Sequence, residues 1–255
     1  NAPLAVDMAG ADLCLCPTHF QASQFPADLR ERLTIMHDGV DTRLHAPPSL
    51  PITQAAGIDV SGMKEVTTFF TRGMEPHRGY PQFMRALAEL QEKRPGLHAI
   101  IGGRDRVAYG RQLPKSDSWR KRMQAELEGR LDLSRIHYVG IQPRAEFVKV
   151  LQASHAHVYL TADFVLSWSM LDAMAIGCPM IVSDCPPVRE FMDETTGLLV
   201  GLHDHNALVA AISRSLDDRA GMKEKGAAAR AVICKNYDAD IIYDRKDAML
   251  RQLLD

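Results

Sequence analysis

The sequence predicts an α/β protein built on a doubly wound parallel sheet, and three observations carry that expectation. From Val66 onward, short apolar runs alternate with segments of helical period, the pattern of strands joined by crossover helices. The short runs are apolar through most of their length, as strands covered on both faces must be. Arg72, Gly102-Gly103, Gly140 and Asp163 all fall at the carboxyl ends of those runs, which is where open parallel sheets bind ligands.

The elements follow in order. VTTFF (Val66–Phe70) is the first strand of the sheet. Tyr80, Phe83, Met84, Leu87 and Leu90 then recur on one face of a helix. LHAII (Leu97–Ile101) precedes Gly102-Gly103 and a polar helix around Asp117–Glu128. IHYVG (Ile136–Gly140) leads to a helix carrying Phe147, Val148 and Leu151. HVYLT (His157–Thr161) precedes SWSMLDAMAIG, and PMIVSD (Pro179–Asp184) and GLLVG (Gly197–Gly201) bracket PVREFMD. Asp204–Leu216 and Ala220–Asn236 read as two further helices, and Ala239–Leu254 as the last. The first 47 residues differ: DLCLCPTHF and LTIMHDGVDT read as two strands and HAPPSLP as a linker. Two strands and a helix bury too little core to stand alone, so this segment reads as the tail of a preceding domain, in a fragment or a trimmed chain.

Composition bounds the partners. The 255 residues are 46% hydrophobic and 24% charged, with a formal net charge of −2. That balance implies no general attraction to nucleic acid or to a membrane surface, so any anion site must be local. No apolar run reaches the ~18 residues of a membrane-spanning helix, and no basic and apolar leader follows Asn1. The five cysteines, at 14, 16, 178, 185 and 234, show neither CxxC pairing nor zinc spacing. They read as small buried hydrophobes in a reducing cytoplasm, with Cys14 and Cys16 on one side of a strand.

One stretch calls for chemistry. In FFTRGMEPHRG, Arg72 and Arg78 stand on either side of Gly73 and Pro76, just past a strand. Two cations there suit an anionic ligand above the strand end; the alternative is a solvated polar turn. SWSML opens a helix with Ser167 or Ser169 available as a cap, and helix N-termini favour phosphate. Trp168 reads as packing more than as a sugar platform. His19, His37 and His77 near these segments read as ordinary surface or core residues.

HDGVDT, TRGMEPHRG, YVG, SWSMLDAMAIGCPMIVSD, PVREFMDETTGLLV and HDHNALVAAI occur in an order that resembles the retaining glycosyltransferases of family 4, from about Ala11 to Tyr237. The resemblance implies the Rossmann-like C-terminal half of a two-domain GT-B fold, preceded by a remnant of the first domain. Residues 1–47 would then be that acceptor-domain remnant and linker, 48–238 the nucleotide-sugar domain, and 239–255 a helix returning to the first domain.

It also implies roles. Arg72 matches an arginine and Arg78 a lysine that hold the donor diphosphate, Thr71 replacing a glycine before them and Gly73 following. Fixed cations stabilise a departing diphosphate where its charge develops. Asp172 stands at the second of two glutamates eight positions apart, whose role is to accept from ribose hydroxyls. The first falls at Phe164, with Asp163 adjacent as a substitute. Leu166 and Ser167 would meet the phosphate–sugar region, Gly103 the donor, Val139 and Gly140 the nucleobase through backbone, and Glu190 would fix the loop beside the donor. No Asp-x-Asp or HExxH run appears, and neither metal nor cofactor is expected.

The expectation is a retaining hexosyltransferase using a nucleotide-diphosphate sugar, cytoplasmic and inactive as this chain alone. Its acceptor is a glycan, lipid or small molecule, with membrane contact left to the first domain. The alternatives are a non-catalytic nucleotide-sugar-binding module, or an unrelated phosphate-binding regulator.

Overall fold

The structure is a computed structural model that describes residues 2–254. Asn1 and Asp255, the ends of the first and last expected segments, lie outside them. The chain opens with helix α1 (Ala2–Gly10), strand β1 (Cys14–Cys16), short helices α2 (His19–Ser23) and α3 (Ala27–Arg30), and strand β2 (Leu33–Ile35). Strands β1 and β2 pair in parallel. A two-residue hairpin, β3 (Gln54–Ala55) with β4 (Ile58–Asp59), follows the linker; the sequence reading did not anticipate it.

The principal sheet holds six parallel strands: β5 (Glu65–Gly73), β6 (Leu97–Arg104), β7 (Ile136–Gly140), β8 (Ala156–Tyr159), β9 (Met180–Ser183) and β10 (Leu198–Val200). Their spatial order is β10-β9-β8-β5-β6-β7. The chain therefore winds outward from β5 to β7, returns to β8 on the other side of β5, and winds outward again. The doubly wound sheet expected from the alternation is present, and its switch point lies between β5 and β8.

Helices cover both faces. On one, α4 (Tyr80–Lys93), α5 (Trp119–Glu126) and α9 (His205–Asp217) pack Phe83, Leu87, Met123 and Ile212 against Phe69, Ile101, Val158 and Ile181. On the other, α6 (Arg144–Gln152), α7 (Trp168–Ile176), α8 (Pro186–Arg189) and α10 (Arg219–Asn236) pack Leu151, Met174, Val188 and Ile233 against Tyr159, Met180 and Val182. Val158 and Tyr159, or Ile181 and Val182, thus serve opposite cores, the period of two that a strand imposes.

The N-terminal segment is tied to this unit at several points. Glu190, beside α8, accepts from the backbone N–H groups of His19 (2.7 Å) and Phe20 (2.9 Å) at the start of α2. Val40 forms a bridge with Asp238, and helix α11 (Ala239–Gln252) follows at once. Lys246 of α11 pairs with Asp38 at 3.2 Å. His37 is buried edge-on against Tyr237 and Phe191, and burial lowers its pKa. Cys16 is buried and Cys14 half-buried, with Leu15 exposed between them, as the alternation implied. Among the described residues no helix is long and apolar enough to cross a membrane.

Candidate functional site

A cleft of about 810 Å³ opens at the carboxyl ends of β5, β6, β7 and β8. Arg72 and Arg78 both line it. Past β5 the chain makes a single 3-10 turn, Pro76–Arg78, ended by Gly79 at φ +69°, a left-handed conformation that glycine adopts without strain. A Cβ on Gly79 would fall 2.3 Å from the Cβ of Leu160, so only glycine lets this turn press against the end of β8. Arg78 is thereby held at the switch point, 6% exposed. Its Nη1 donates to Thr161 Oγ1 at 2.9 Å, and the Thr161 N–H donates in turn to Ser183 Oγ at the end of β9 (2.8 Å).

The remaining surroundings of Arg78 are aromatic. Its guanidinium carbon lies 5.0 Å from the ring centre of Tyr109 and 5.5 Å from that of Phe164. The two rings are 5.0 Å apart. Tyr109 also accepts from Arg72 Nη1 at 3.5 Å. Burial pushes the Tyr109 phenol up, yet the Arg72 and Arg78 guanidiniums beside it bring it below its ordinary pKa. None of these partners of Arg78 is an acid, so its charge is left for a ligand. The loop bearing Tyr109 is pinned by Glu75, a fully buried carboxylate that accepts from the N–H groups of Ala108 (3.2 Å), Tyr109 (3.1 Å) and Gly110 (2.8 Å).

Asp172, 6% exposed, lies on the floor of the cleft one turn along α7 from Trp168. Its Oδ2 accepts from Arg144 Nη1 at 3.0 Å, and its Oδ1 stands 3.6 Å from His45 Nε2. His45 donates from Nδ1 to the Asp41 carbonyl (2.9 Å), which leaves Nε2 without a hydrogen-bond partner. Burial raises the Asp172 pKa, with His45 and Arg144 pulling the other way.

Of the other residues expected at the site, Gly103, Gly140, Leu166 and Ser167 also line the cleft. Gly103 has φ +117°, and a Cβ there would lie 1.8 Å from the Thr71 carbonyl oxygen, so it is required by the approach of β6 to β5. Gly73, Val139, Asp163 and Glu190 are not among the walls. Gly73 is buried under the Arg104–Arg106 turn, Val139 packs beside the hairpin, Asp163 points to solvent, and Glu190 holds α2.

Two readings of the α7 start are corrected. Ser167 occupies the N-cap position, but its side chain makes no capping bond; its Oγ pairs with Ser169 Oγ at 2.9 Å instead. Trp168, read as packing, is 61% exposed and lines the cleft, because it is the first residue of α7 and projects away from the core.

The sequence reading passed over Arg104, Arg106, Arg144 and Tyr109, all in the cleft wall. Arg104 and Arg106 directly follow Gly102-Gly103, a strand-end signal that could have flagged them. Tyr109 lies in a polar loop with no such signal. Among the described residues no three His, Cys, Asp or Glu side chains gather as a metal site.

Comparison with known proteins supplies the family. Residues 57–232 match the family described as Glycosyl transferases group 1, and residues 1–45 match the Glycosyl transferase family 4 group. The lipopolysaccharide core biosynthesis mannosyltransferase LpsB of Rhizobium meliloti (strain 1021) is 26% identical over 220 residues, covering 80% of this chain and 56% of that protein. The chain thus spans little more than half of that relative. Anabaena Alr3699/HepE, solved with UDP and glucose, superposes with a TM-score of 0.80 at 17% identity, over 98% of this chain and 66% of that one. The C-terminal domain of a glycosyl transferase group 1 family protein (LpcC) from Francisella tularensis superposes at 0.63 and 17% identity, over 78% of this chain and 99% of that one. Structural likeness at such identities speaks to the fold, which is of the GT-B type. With its residues 57–232 matched by the family model, the chain belongs to the glycosyl transferases group 1 family.

Proposed function

We propose that this chain is the donor-binding half of a retaining glycosyltransferase that moves a hexosyl group from a nucleotide-diphosphate sugar to an acceptor. The observation that carries the reading is the pair Arg72 and Arg78 at the β5/β8 switch point, in one cleft with the Asp172 carboxylate. Arg72 and Arg78 hold the diphosphate, Asp172 accepts from the ribose hydroxyls, and the backbone N–H groups opening α7 face the phosphate–sugar junction. Gly140 lets the nucleobase approach the end of β7. As the glycosidic bond breaks, negative charge builds on the leaving diphosphate, and pre-positioned guanidiniums stabilise it there.

Residues 48–238 form the donor domain in this reading, residues 1–47 and 239–255 belonging to the other half. The separate family matches over residues 57–232 and 1–45 are compatible with that division, and the five free thiols suit a reducing cytoplasm. The acceptor, a glycan, lipid or small molecule, meets the other half of the cleft. Since closure completes the catalytic constellation and excludes water, the 255-residue chain alone binds donor without transferring sugar.

Titration of the chain with UDP, GDP and ADP, and with the corresponding nucleosides, tests the reading. Arg72→Ala and Arg78→Ala each weaken nucleoside diphosphate binding by roughly 1.5–3 kcal/mol and leave nucleoside binding unchanged. No loss in either variant removes both arginines from the diphosphate site. A second reading, a binding module without chemistry, is favoured by Phe164 standing where the family resemblance calls for a glutamate. Sugar transfer by a protein in which a full first domain precedes this chain would eliminate the module.

A further inference from the structure

Arg78 and Phe164 are both departures from the family pattern, 86 residues apart in sequence, yet they meet in space. The Arg78 guanidinium carbon is 5.5 Å from the Phe164 ring centre and 5.0 Å from that of Tyr109. Phe164 is itself braced edge-on by His77 at 4.9 Å, and the Tyr109 loop by the buried Glu75 carboxylate. The two ring centres are 5.0 Å apart, so the rings stand side by side against the guanidinium, and a hydrogen bond to Thr161 fixes Nη1.

We propose that Tyr109 and Phe164 form an aromatic clamp that holds the Arg78 guanidinium in place for the donor diphosphate, which makes Phe164 a positioning residue of the site. The proposal rests on the diphosphate reading of Arg78 given above. A guanidinium is a planar cation that can lie against ring faces, whereas an ammonium is a compact charge that keeps its water. Arginine at 78 therefore gains more from aromatic neighbours than lysine would, because its plane can stack on a ring. A glutamate at 164 would stand beside this cation and neutralise it. Phenylalanine holds it and leaves its charge whole. An arginine fixed before the ligand arrives has less side-chain freedom to lose on binding. Because Tyr109 also touches Arg72 (3.5 Å), one ring registers both cations against each other. The substitutions at 78 and 164 are then a single coupled arrangement rather than two separate losses.

The test combines a readout of the clamp with a readout of binding. In the NMR spectrum of the wild-type chain, the Arg78 Nε–H resonance, assigned by its disappearance in Arg78→Lys, is shifted by the ring currents. Phe164→Leu, of similar bulk but without a π face, moves that resonance toward the exposed-arginine position. The same variant weakens binding of the tightest of UDP, GDP and ADP about tenfold, with less than about a twofold effect on the matching nucleoside. Phe164→Tyr restores both readouts, and Phe164→Glu loses diphosphate affinity further. An unmoved Arg78 resonance in Phe164→Leu overturns the clamp. A moved resonance with unchanged affinity, or equal losses for nucleoside and diphosphate, overturns the positioning role. If the wild-type chain binds no member of the panel, the diphosphate reading falls, and the Arg78 resonance alone then decides whether the clamp exists.

Discussion

Asp172 accepts from Arg144 on one oxygen and faces His45 with the other, so a ribose hydroxyl does not meet an idle carboxylate. Arg144 is the partner that can yield, because its side chain is 60% exposed while that of His45 is 1% exposed. A ligand hydroxyl reaching Oδ2 would take the place of Arg144, whose guanidinium returns to water, and would itself satisfy the buried carboxylate oxygen. Asp172→Asn exchanges a charged acceptor oxygen for a donor, and nucleoside affinity is expected to fall by about 1–3 kcal/mol. If the carboxylate serves only His45 and Arg144, the same variant lowers the melting temperature and leaves affinity of the folded protein unchanged. Calorimetry and thermal melts on one preparation separate the two, and unchanged affinity removes Asp172 from the site. Burial raises the Asp172 pKa, so nucleoside affinity should begin to decline on acidification before the ordinary aspartate range is reached.

At the scale of elements, the middle of the loop from Asp105 to Ser118 is held by one side chain. Glu75 spends both oxygens on the N–H groups of residues 108–110, which make no backbone–backbone hydrogen bond of their own. Glu75→Gln turns one acceptor into a donor facing those donors. It is expected to cost about 1–3 kcal/mol and to speed amide hydrogen exchange at residues 108–110, while exchange in β5 and β6 stays slow. Equal exchange in both proteins would show that the loop holds itself. Glu75 also marks the limit of what the sequence discloses. The six strands and their helices were legible because each buried run repeats with a period of two or 3.6, as Phe83 and Leu87 do on α4. The β3–β4 hairpin was not, since two-residue strands are too short to alternate. Arg72, Arg78 and Asp172 could be placed from strand ends and motif order. Tyr109 could not, because its position depends on three backbone N–H groups that donate to Glu75, more than thirty residues earlier, and no local pattern encodes them. Phe164 was visible as a departure, but the partner that explains it is a contact in space.

Across the whole molecule, the sheet that carries the cleft also stores a sensitivity to acid. His155 and His157 flank the start of β8, beside the first strand of the switch point. His155 Nδ1 accepts from the Val66 N–H at 3.0 Å, which requires an unprotonated Nδ1, and His157 is buried against the Thr68 hydroxyl at 2.8 Å. Burial brings both down to about 4 from the ordinary 6.5. A histidine whose folded pKa is depressed favours the native state above its unfolded pKa, and that contribution is lost as pH falls through the folded value. The window therefore runs from 6.5 down to about 4. Relative to pH 8, the fully buried His157 alone should remove about 2 kcal/mol of stability by pH 5, and the half-buried His155 a smaller amount. Urea unfolding at pH 8 and pH 5 measures the difference. His157→Gln, which keeps a hydrogen-bonding group but cannot titrate, is less stable at pH 8 and loses less on acidification. If the variant and the wild type lose stability in parallel, proton uptake at His157 is not what acid exploits, and the pH dependence belongs to His155 and the buried His37 instead.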